Sequence, residues 1–519
     1  MRQQSEIEQL IRQRAHLQPD EPWLHFKDET FVWREVISHS QRAANGFLEL
    51  GLRPSDRVGL MAGNRPEFLW AYFGALMIGS EVVPINKWQR GAALEHMFRD
   101  SGIHAVVYDP ELDPVIAEMR RKVPGLRWAI TLIGPKVGTA DATMTEFLNS
   151  ARDRDPPIEV TQRPGAVGIL YTSGTTGPPK GIVSKNYEPC LRPLIEALDI
   201  RPREVMYTCM PLFHASGLLV FGVGSIRQNA QLALGDGFSA SGFWDEIRRY
   251  KAVSANVFGV MIPFLLKQPL RSNDRDNPMR SVLSVGCPKS AWQEFEQRFD
   301  LKVVEFYGAS DAPGFLINRD GRAGSVGKPA AGAEFRVVDE YDNDVPVGKT
   351  GEIIYRHRGE HPSAYNNLPD VTAQVWRGGW YHSGDIGEID KDGFFYFHGR
   401  MKEAIRRRGE NISPWEISSV LDLHPKVQES AAFGVPAEDG EEEVMVAVVP
   451  QPNAILSPEE LLDFCQGRLA YYALPRYVDI VSKLPKTSTQ KIQHLALKEK
   501  GRSEMTWDRE RAKYVVQRA

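Results

Sequence analysis

Arg57-Val58-Gly59-Leu60-Met61-Ala62 is a short apolar run, and Glu81-Val82-Val83-Pro84-Ile85 is another. Between them residues 66–78 have helical character. Residues 92–101 read as a second helix before the strand His104-Ala105-Val106-Val107-Tyr108. Apolar runs of strand length that alternate with helical stretches indicate βαβ units, and so a mostly parallel sheet covered by helices. The alternation recurs from Glu204 to Tyr307, with residues 244–250 and 291–299 as helices. The expected fold class is α/β.

The texture changes after about residue 320, where residues 335–339, 351–356, 384–390 and 394–398 read as strands joined by Gly and Asp turns. Past Arg400 a smaller α+β region begins. Ser457-Pro458-Glu459-Glu460 sets a capping Ser, a first-turn Pro and a reciprocating Glu before a helix. We expect a boundary at residues 400–402, dividing a large α/β domain with a β-rich end (1–400) from a small mobile α+β lobe (401–519).

Composition narrows the function. A chain of 519 residues allows about three domains or one large composite at roughly 150 residues each. Its 42% hydrophobic and 25% charged residues are the balance of a soluble globular protein. The 63 basic and 67 acidic residues leave a formal charge of −4, with no basic field for nucleic acid. Cys190, Cys209, Cys287 and Cys465 lie far apart with no CxxC, which argues against a zinc ribbon or disulfide framework and fits a reducing compartment. The charged N-terminal stretch lacks the apolar core of a signal peptide. The longest apolar run, residues 68–78, falls short of the ~18 residues of a membrane span. A cytoplasmic location is expected.

The chemistry begins at Tyr171-Thr172-Ser173-Gly174-Thr175-Thr176-Gly177-Pro178-Pro179-Lys180-Gly181, which follows an apolar strand at residues 166–170. Glycines let backbone N–H groups approach a phosphate, hydroxyls add donors, and a lysine neutralises charge. The Walker pattern is excluded, because Pro178 stands where its lysine would follow the second glycine. Further on, Asp392-Gly393 between apolar runs signals a two-residue hairpin loop. That loop would set Asp385, of Trp380-Tyr381-His382-Ser383-Gly384-Asp385, opposite Arg400, of Gly399-Arg400. A carboxylate then faces a guanidinium at the hairpin's open end. His357-Arg358-Gly359-Glu360-His361 matches a zinc-protease pattern by letters, but Gly359 and Pro362 argue against the helix it needs. No Ser/His/Asp or Cys/His arrangement points to a protein nucleophile.

The loop Thr172–Gly181 resembles the signature of the adenylate-forming superfamily: acyl-CoA synthetases, peptide-synthetase adenylation domains and firefly-type luciferases. Its other motifs follow in order from Asn64-Arg65-Pro66-Glu67 to Lys491. The resemblance implies that Thr172, Ser173, Gly174, Thr175, Thr176, Gly177 and Lys180 bind the phosphates of ATP. It implies that Phe306-Tyr307-Gly308-Ala309-Ser310-Asp311 lines the adenine and acyl sites, and that Asp311 and Thr172 hold Mg²⁺. The family's usual acid there is Glu, one methylene longer than Asp311. Asp385 would bind the ribose hydroxyls, Arg400 the nucleotide, and His214, in Pro211-Leu212-Phe213-His214-Ala215-Ser216-Gly217, would border the acyl pocket. Lys402 would be the interdomain hinge. Gly409 would belong to the loop that admits coenzyme A, while Arg406, Arg407 and Arg408 beside it read first as a solvated face and second as partners of its phosphates. Lys491, in Leu484-Pro485-Lys486-Thr487-Ser488-Thr489-Gln490-Lys491-Ile492-Gln493-His494, would be the catalytic lysine, with Thr172, Asp311 and His214 as further catalytic groups. Gln490 and His494 depart from the family's Gly and Arg.

The implied activity is ATP-dependent carboxylate–CoA ligation through acyl-AMP, with ATP, Mg²⁺ and coenzyme A. The stretch Ile405–Ser413 is most similar to the branch of carnitine/crotonobetaine-CoA ligases; a small, medium or cyclic acid is equally compatible. Loading of a carrier protein, a luciferase-like oxygenase, and a nucleotide-binding pseudoenzyme suggested by Asp311, Gln490 and His494 stay as alternatives. The expected partners are small molecules, with no nucleic acid and no membrane span, and a homo-oligomer is compatible.

Overall fold

The computed structural model describes residues 6–149, 152–156, 168–171, 178–184, 188–358, 363–401, 403–407, 410–437, 442–469, 473–487 and 491–515. Strands form where the apolar runs predicted them: Arg57–Met61, Glu81–Pro84 and Ala105–Tyr108, with helices Pro66–Met77 and Gly91–Ser101 between them. They belong to an eight-stranded sheet in the order Ala364–Tyr365, Gly181–Ser184, Gly168–Tyr171, Glu81–Pro84, Arg57–Met61, Ala105–Tyr108, Trp128–Thr131, Ala142–Thr143. From Gly168–Tyr171 to Ala142–Thr143 the pairing is parallel. The chain runs from Arg57–Met61 to a neighbour on one side and then returns to one on the other. Such a reversal opens a crevice at the carboxyl ends of the strands.

Helix Pro66–Met77 is apolar on all sides and buried, as a helix between layers must be. It presses on Trp33–Glu49 so closely that a Cβ at Gly74 would stand 2.7 Å from the Ala43 methyl and 2.9 Å from the Ala44 nitrogen. Among the described residues no helix is long and apolar enough to cross a membrane.

A second sheet of nine strands has a parallel centre of Lys302–Tyr307, Ser281–Val285, Ala252–Phe258, Val205–Thr208, Gln231–Leu234 and Pro22–Phe26. Asn64 ties the two sheets. Just beyond Arg57–Met61 and 4% exposed, it donates from Nδ2 to the Met210 and Gly235 carbonyls (3.0 and 2.9 Å) and accepts from the Leu212 N–H at 2.9 Å. One buried amide therefore fixes the two strand-end surfaces against each other.

The β-rich end is a five-stranded sheet containing Ala333–Val338, Gly351–His357, Trp380–Ile389 and Phe395–Arg400. Beyond it lie the hairpin Ile405–Arg407/Glu410–Ile412 and a four-stranded sheet of Val427–Pro436, Glu442–Pro450, Tyr477–Ile480 and Trp507–Asp508. The molecule is thus a large mixed α/β domain followed by a smaller C-terminal one.

Three local expectations are corrected. The Asp392-Gly393 loop is not a two-residue hairpin. Ile389 pairs with Phe395 and Gly387 with Phe397, so Lys391, Asp392 and Gly393 form the turn, with Gly393 at φ +82°. The Asp390 carboxylate holds it by accepting from the Asp392 and Phe394 N–H groups. A bulge at His398 then restores the register, and Asp385 does face Arg400. Secondly, Ser457 Oγ accepts from Glu460 N–H at 3.2 Å, as a cap should, but the Glu460 carboxylate turns to Lys426 Nζ at 2.8 Å. Thirdly, Arg407 is no solvated residue: it is 5% exposed and pairs with the buried Glu443, Nε to Oε2 2.7 Å. Packing of the hairpin on strand Glu442–Pro450 buries it. Arg408 lies outside the described residues, as does the Arg406 side chain.

Candidate functional site

The site lies at the carboxyl ends of the second sheet's parallel strands, and its floor is backbone. The turns after Ala252–Phe258 and Ser281–Val285 touch, so that a Cβ at Gly259 would stand 1.7 Å from the Gly286 carbonyl oxygen. Glu305, inside strand Lys302–Tyr307 and 2% exposed, braces the second turn. Its carboxylate accepts from the Gly286 and Cys287 N–H groups. Burial is the largest influence and pushes its carboxyl up to about 7 against those hydrogen bonds. A lone acid in the apolar strand KVVEFY was the signal that could have marked it.

Tyr307 ends that strand and donates from its hydroxyl to Asp385 Oδ2 at 2.6 Å. Asp385 is 4% exposed. Burial raises its carboxyl above the usual range, and Arg400 opposes the rise. Arg400 Nε stands 3.0 Å from Asp385 Oδ1, which accepts no aligned hydrogen bond among the described residues. A buried carboxylate oxygen in that condition is ready to accept from a hydroxyl donor.

The loop after Tyr307 is close-packed. A Cβ at Gly308 would stand 2.4 Å from the Phe315 ring, and the Ala309 N–H donates to the Tyr355 hydroxyl at 3.1 Å. Ser310 is exposed. Asp311 accepts at Oδ2 from the Tyr365 hydroxyl and at its carbonyl from Ser363 Oγ. Lys180 Nζ lies 5.2 Å from the centre of the same Tyr365 ring. Sequence reasoning missed Tyr365, because nothing in AYNNLP announces a partner 54 residues upstream.

Strand Gly168–Tyr171 leads into the glycine-hydroxyl loop. At Gly168, φ is +153° and a Cβ would stand 1.9 Å from the Val82 carbonyl oxygen, so this strand joins the sheet only with glycine there. Thr172, Ser173, Gly174, Thr175, Thr176 and Gly177 lie outside the described residues, as do Lys402, Gly409 and Gln490.

The small domain contributes Lys491. Thr487 N–H donates to the Lys491 carbonyl (2.7 Å), and Lys491 N–H donates to Thr487 Oγ1 (3.2 Å). The side chain keeps contact with solvent. Enclosure in the cleft, then the Arg400 charge, lower its ammonium below the ordinary lysine value, while Asp311 and Glu403 oppose. On the cleft's other side His214 is pushed down to about 4, by burial first and then by the Lys491 charge. It is therefore neutral near pH 7, its ring tilted 53° against Phe213 at 4.6 Å between centres, and Phe213 in turn meets Trp88 edge to face at 6.0 Å. The structure thus gathers Lys180, His214, Tyr307, Asp311, Asp385, Arg400 and Lys491 into one interdomain cleft.

His357 ends a strand, not a helix, and His361 lies outside the described residues. Among the described residues no cluster of three His, Cys, Asp or Glu side chains could hold a metal. A single carboxylate such as Asp311 still suits Mg²⁺, which usually takes one or two carboxylates together with substrate phosphates and water. Tyr365 occupies one of its oxygens and leaves the other as a hard donor.

Comparison with known proteins identifies the family. The family model "AMP-binding enzyme" matches residues 11–360, and "AMP-binding enzyme C-terminal domain" matches residues 416–491. The crotonobetaine/carnitine–CoA ligases of Salmonella heidelberg and Salmonella typhimurium are each 30% identical over 476 residues, covering 89% of this chain and 92% of theirs. Among solved structures, an anthranilate CoA ligase with bound anthranoyl-AMP superposes with a TM-score of 0.86 at 24% identity, over 96% of this chain and 97% of its own. ATP-bound MatB from Rhodopseudomonas palustris does so with 0.80 at 25% identity, over 95% and 98%.

Proposed function

This chain belongs to the AMP-binding enzyme family, as an acid–thiol ligase of the acyl-CoA synthetase kind, and on that premise we propose how its cleft divides the work. A carboxylate oxygen attacks the α-phosphorus of ATP, the bond to the bridging oxygen breaks, and pyrophosphate leaves. The thiol of coenzyme A then attacks the acyl carbon, AMP leaves, and the thiol proton passes to solvent.

The observation that carries the assignment of roles is that Lys491 of the small domain lies within electrostatic range of Asp311, Arg400 and His214 of the large one. Lys491 bridges the attacking carboxylate and the α-phosphate; a fixed charge aimed at developing charge contributes about 3–4 kcal/mol. Asp385, with its under-used Oδ1, accepts the ribose hydroxyls beside Tyr307, and Arg400 pairs with the nucleotide. Lys180 and the loop Thr172–Gly177 hold the β- and γ-phosphates. His214, uncharged at neutral pH, borders the acyl group without attracting a second carboxylate. Asp311, with Thr172, would hold Mg²⁺, which when bound neutralises phosphate charge. The lobe 401–519 turns about Lys402 after adenylation, withdrawing Lys491 and bringing in the Gly409 loop.

For the acid we propose a carnitine-like betaine or a small, medium or cyclic carboxylate; the likeness to crotonobetaine/carnitine–CoA ligases supports the first. The buried free thiols of Cys209, Cys287 and Cys465 support a cytoplasmic setting. The test is carboxylate-dependent ATP–pyrophosphate exchange over an acid panel that includes carnitine and crotonobetaine, with mass detection of the CoA thioester for each acid that exchanges. Exchange with thioester is expected; exchange with no thioester from any acid moves the acceptor to a carrier protein and overturns the ligase reading.

A further inference from the structure

Lys267 lies far in sequence from every motif of the cleft. It closes helix Met261–Leu266, which follows strand Ala252–Phe258 of the large domain. Its Nζ does not point into bulk water. It donates to two carbonyls of the small domain, Asp422 O at 2.5 Å and Val427 O at 2.6 Å.

Both acceptors are of a kind that needs an outside donor. Asp422 closes helix Pro414–Leu421, and the last carbonyls of a helix lack partners within it and form its negative end. Val427 opens strand Val427–Pro436, and its carbonyl also accepts a 3.2 Å bond from Gln451 Nε2. A cation at this place supplies two charge-assisted bonds. Beside it Leu423 packs against the large domain's cluster around Ile262, Leu265 and Trp292. The turn 422–427 is thus gripped by charge and by apolar contact together, and it belongs to the same domain that carries Lys491 into the cleft.

We propose that Lys267 is a positioning residue for adenylation: docked on the Asp422 and Val427 carbonyls, it holds the small domain where Lys491 reaches the site. This rests on the ligase reading given above. A hydrogen bond is lost once donor and acceptor separate beyond about 3.5 Å. Any turn of the lobe that withdraws Lys491 therefore breaks both bonds, and they favour the adenylating arrangement alone.

The experiment compares wild type with Lys267→Met, which keeps the stem and removes the charge, and with Lys267→Arg. Hydrogen–deuterium exchange on the ligand-free chain needs no substrate. Lys267→Met should speed exchange in segments 261–268 and 422–428, leave strands Ala252–Phe258 and Glu442–Pro450 unchanged, and be rescued by Lys267→Arg. With each acid that supports pyrophosphate exchange in wild type, Lys267→Met should lower that exchange about 10-fold, the worth of one net charge-assisted bond. It should leave the transfer of supplied acyl-AMP to coenzyme A within about twofold. Unchanged deuterium exchange, or equal loss of both half-reactions, overturns the proposal. If no acid exchanges in wild type the ligase reading fails, and the deuterium comparison still decides whether Lys267 docks the lobe.

Discussion

Asp385 is an acid where burial works against its charge. Its folded carboxyl sits above the usual range, so ionisation costs stability as pH rises from the unfolded value through the folded one. Asp385→Asn removes this cost and leaves Arg400, whose side chain is 58% exposed, to be solvated by water. The variant should unfold no more easily than wild type at pH 7, yet bind ATP about 10- to 100-fold more weakly, the worth of one charge-assisted hydrogen bond. Calorimetric titration and thermal melting check the two halves; unchanged ATP affinity contradicts the ribose role. His214 carries the opposite sign. Its folded pKa, about 4, lies below that of the unfolded imidazole, so the unfolded chain alone binds a proton between the two values. The stability is fully present above pH ~6.5 and declines as pH falls towards 4, by about 2 kcal/mol between pH 7 and pH 5. His214→Asn should flatten the wild-type decline by that amount in urea unfolding at the two pH values, and parallel curves would refute the assignment.

At the scale of elements, the hairpin Ile405–Arg407/Glu410–Ile412 is anchored by buried Ile405 and Ile412 and by one buried ion pair, Arg407–Glu443. Removing one partner of such a pair leaves the other charge uncompensated, at a cost of about 3–5 kcal/mol. Glu443→Ala should therefore lower the stability of the small domain by that much in denaturant unfolding, and a change below about 1 kcal/mol would show that Arg407 finds other support. The elements differ in how far their sequence announced them. Arg57–Met61, Glu81–Pro84 and Ala105–Tyr108 were legible because parallel strands covered on both faces read as unbroken apolar runs. The facing of Asp385 and Arg400 was legible too, though by a compensated route: the turn is one residue longer than Asp392-Gly393 implies, and the bulge at His398 takes up the difference. A bulge has no letter code. Arg407 was misread because three adjacent arginines suggest solvent, and only packing on strand Glu442–Pro450 shows which one turns inward. Tyr365 on Asp311, and Lys267 on the Asp422 carbonyl, join residues far apart in the chain through bonds that leave no periodic trace.

At the scale of the molecule, the roles proposed above leave the chemistry to neither domain alone. The large domain supplies Tyr307, Asp311, Asp385 and Arg400 on a floor braced by Glu305, while the small one supplies Lys491 and is docked by Lys267. Such a division lets one cleft serve two reactions in turn, provided that the lysine acts in only one of them. The most direct measurement separates those reactions in Lys491→Ala: pyrophosphate exchange with the best acid of the panel, and conversion of supplied acyl-AMP to thioester by coenzyme A. Exchange should fall by about 10²–10³-fold, in keeping with the loss of one fixed charge from a developing one. Thioester formation should stay within about threefold of wild type, since in the proposed cycle the lobe withdraws the lysine before that step. Equal loss in both half-reactions, or exchange left intact, would contradict the division of labour between the two domains.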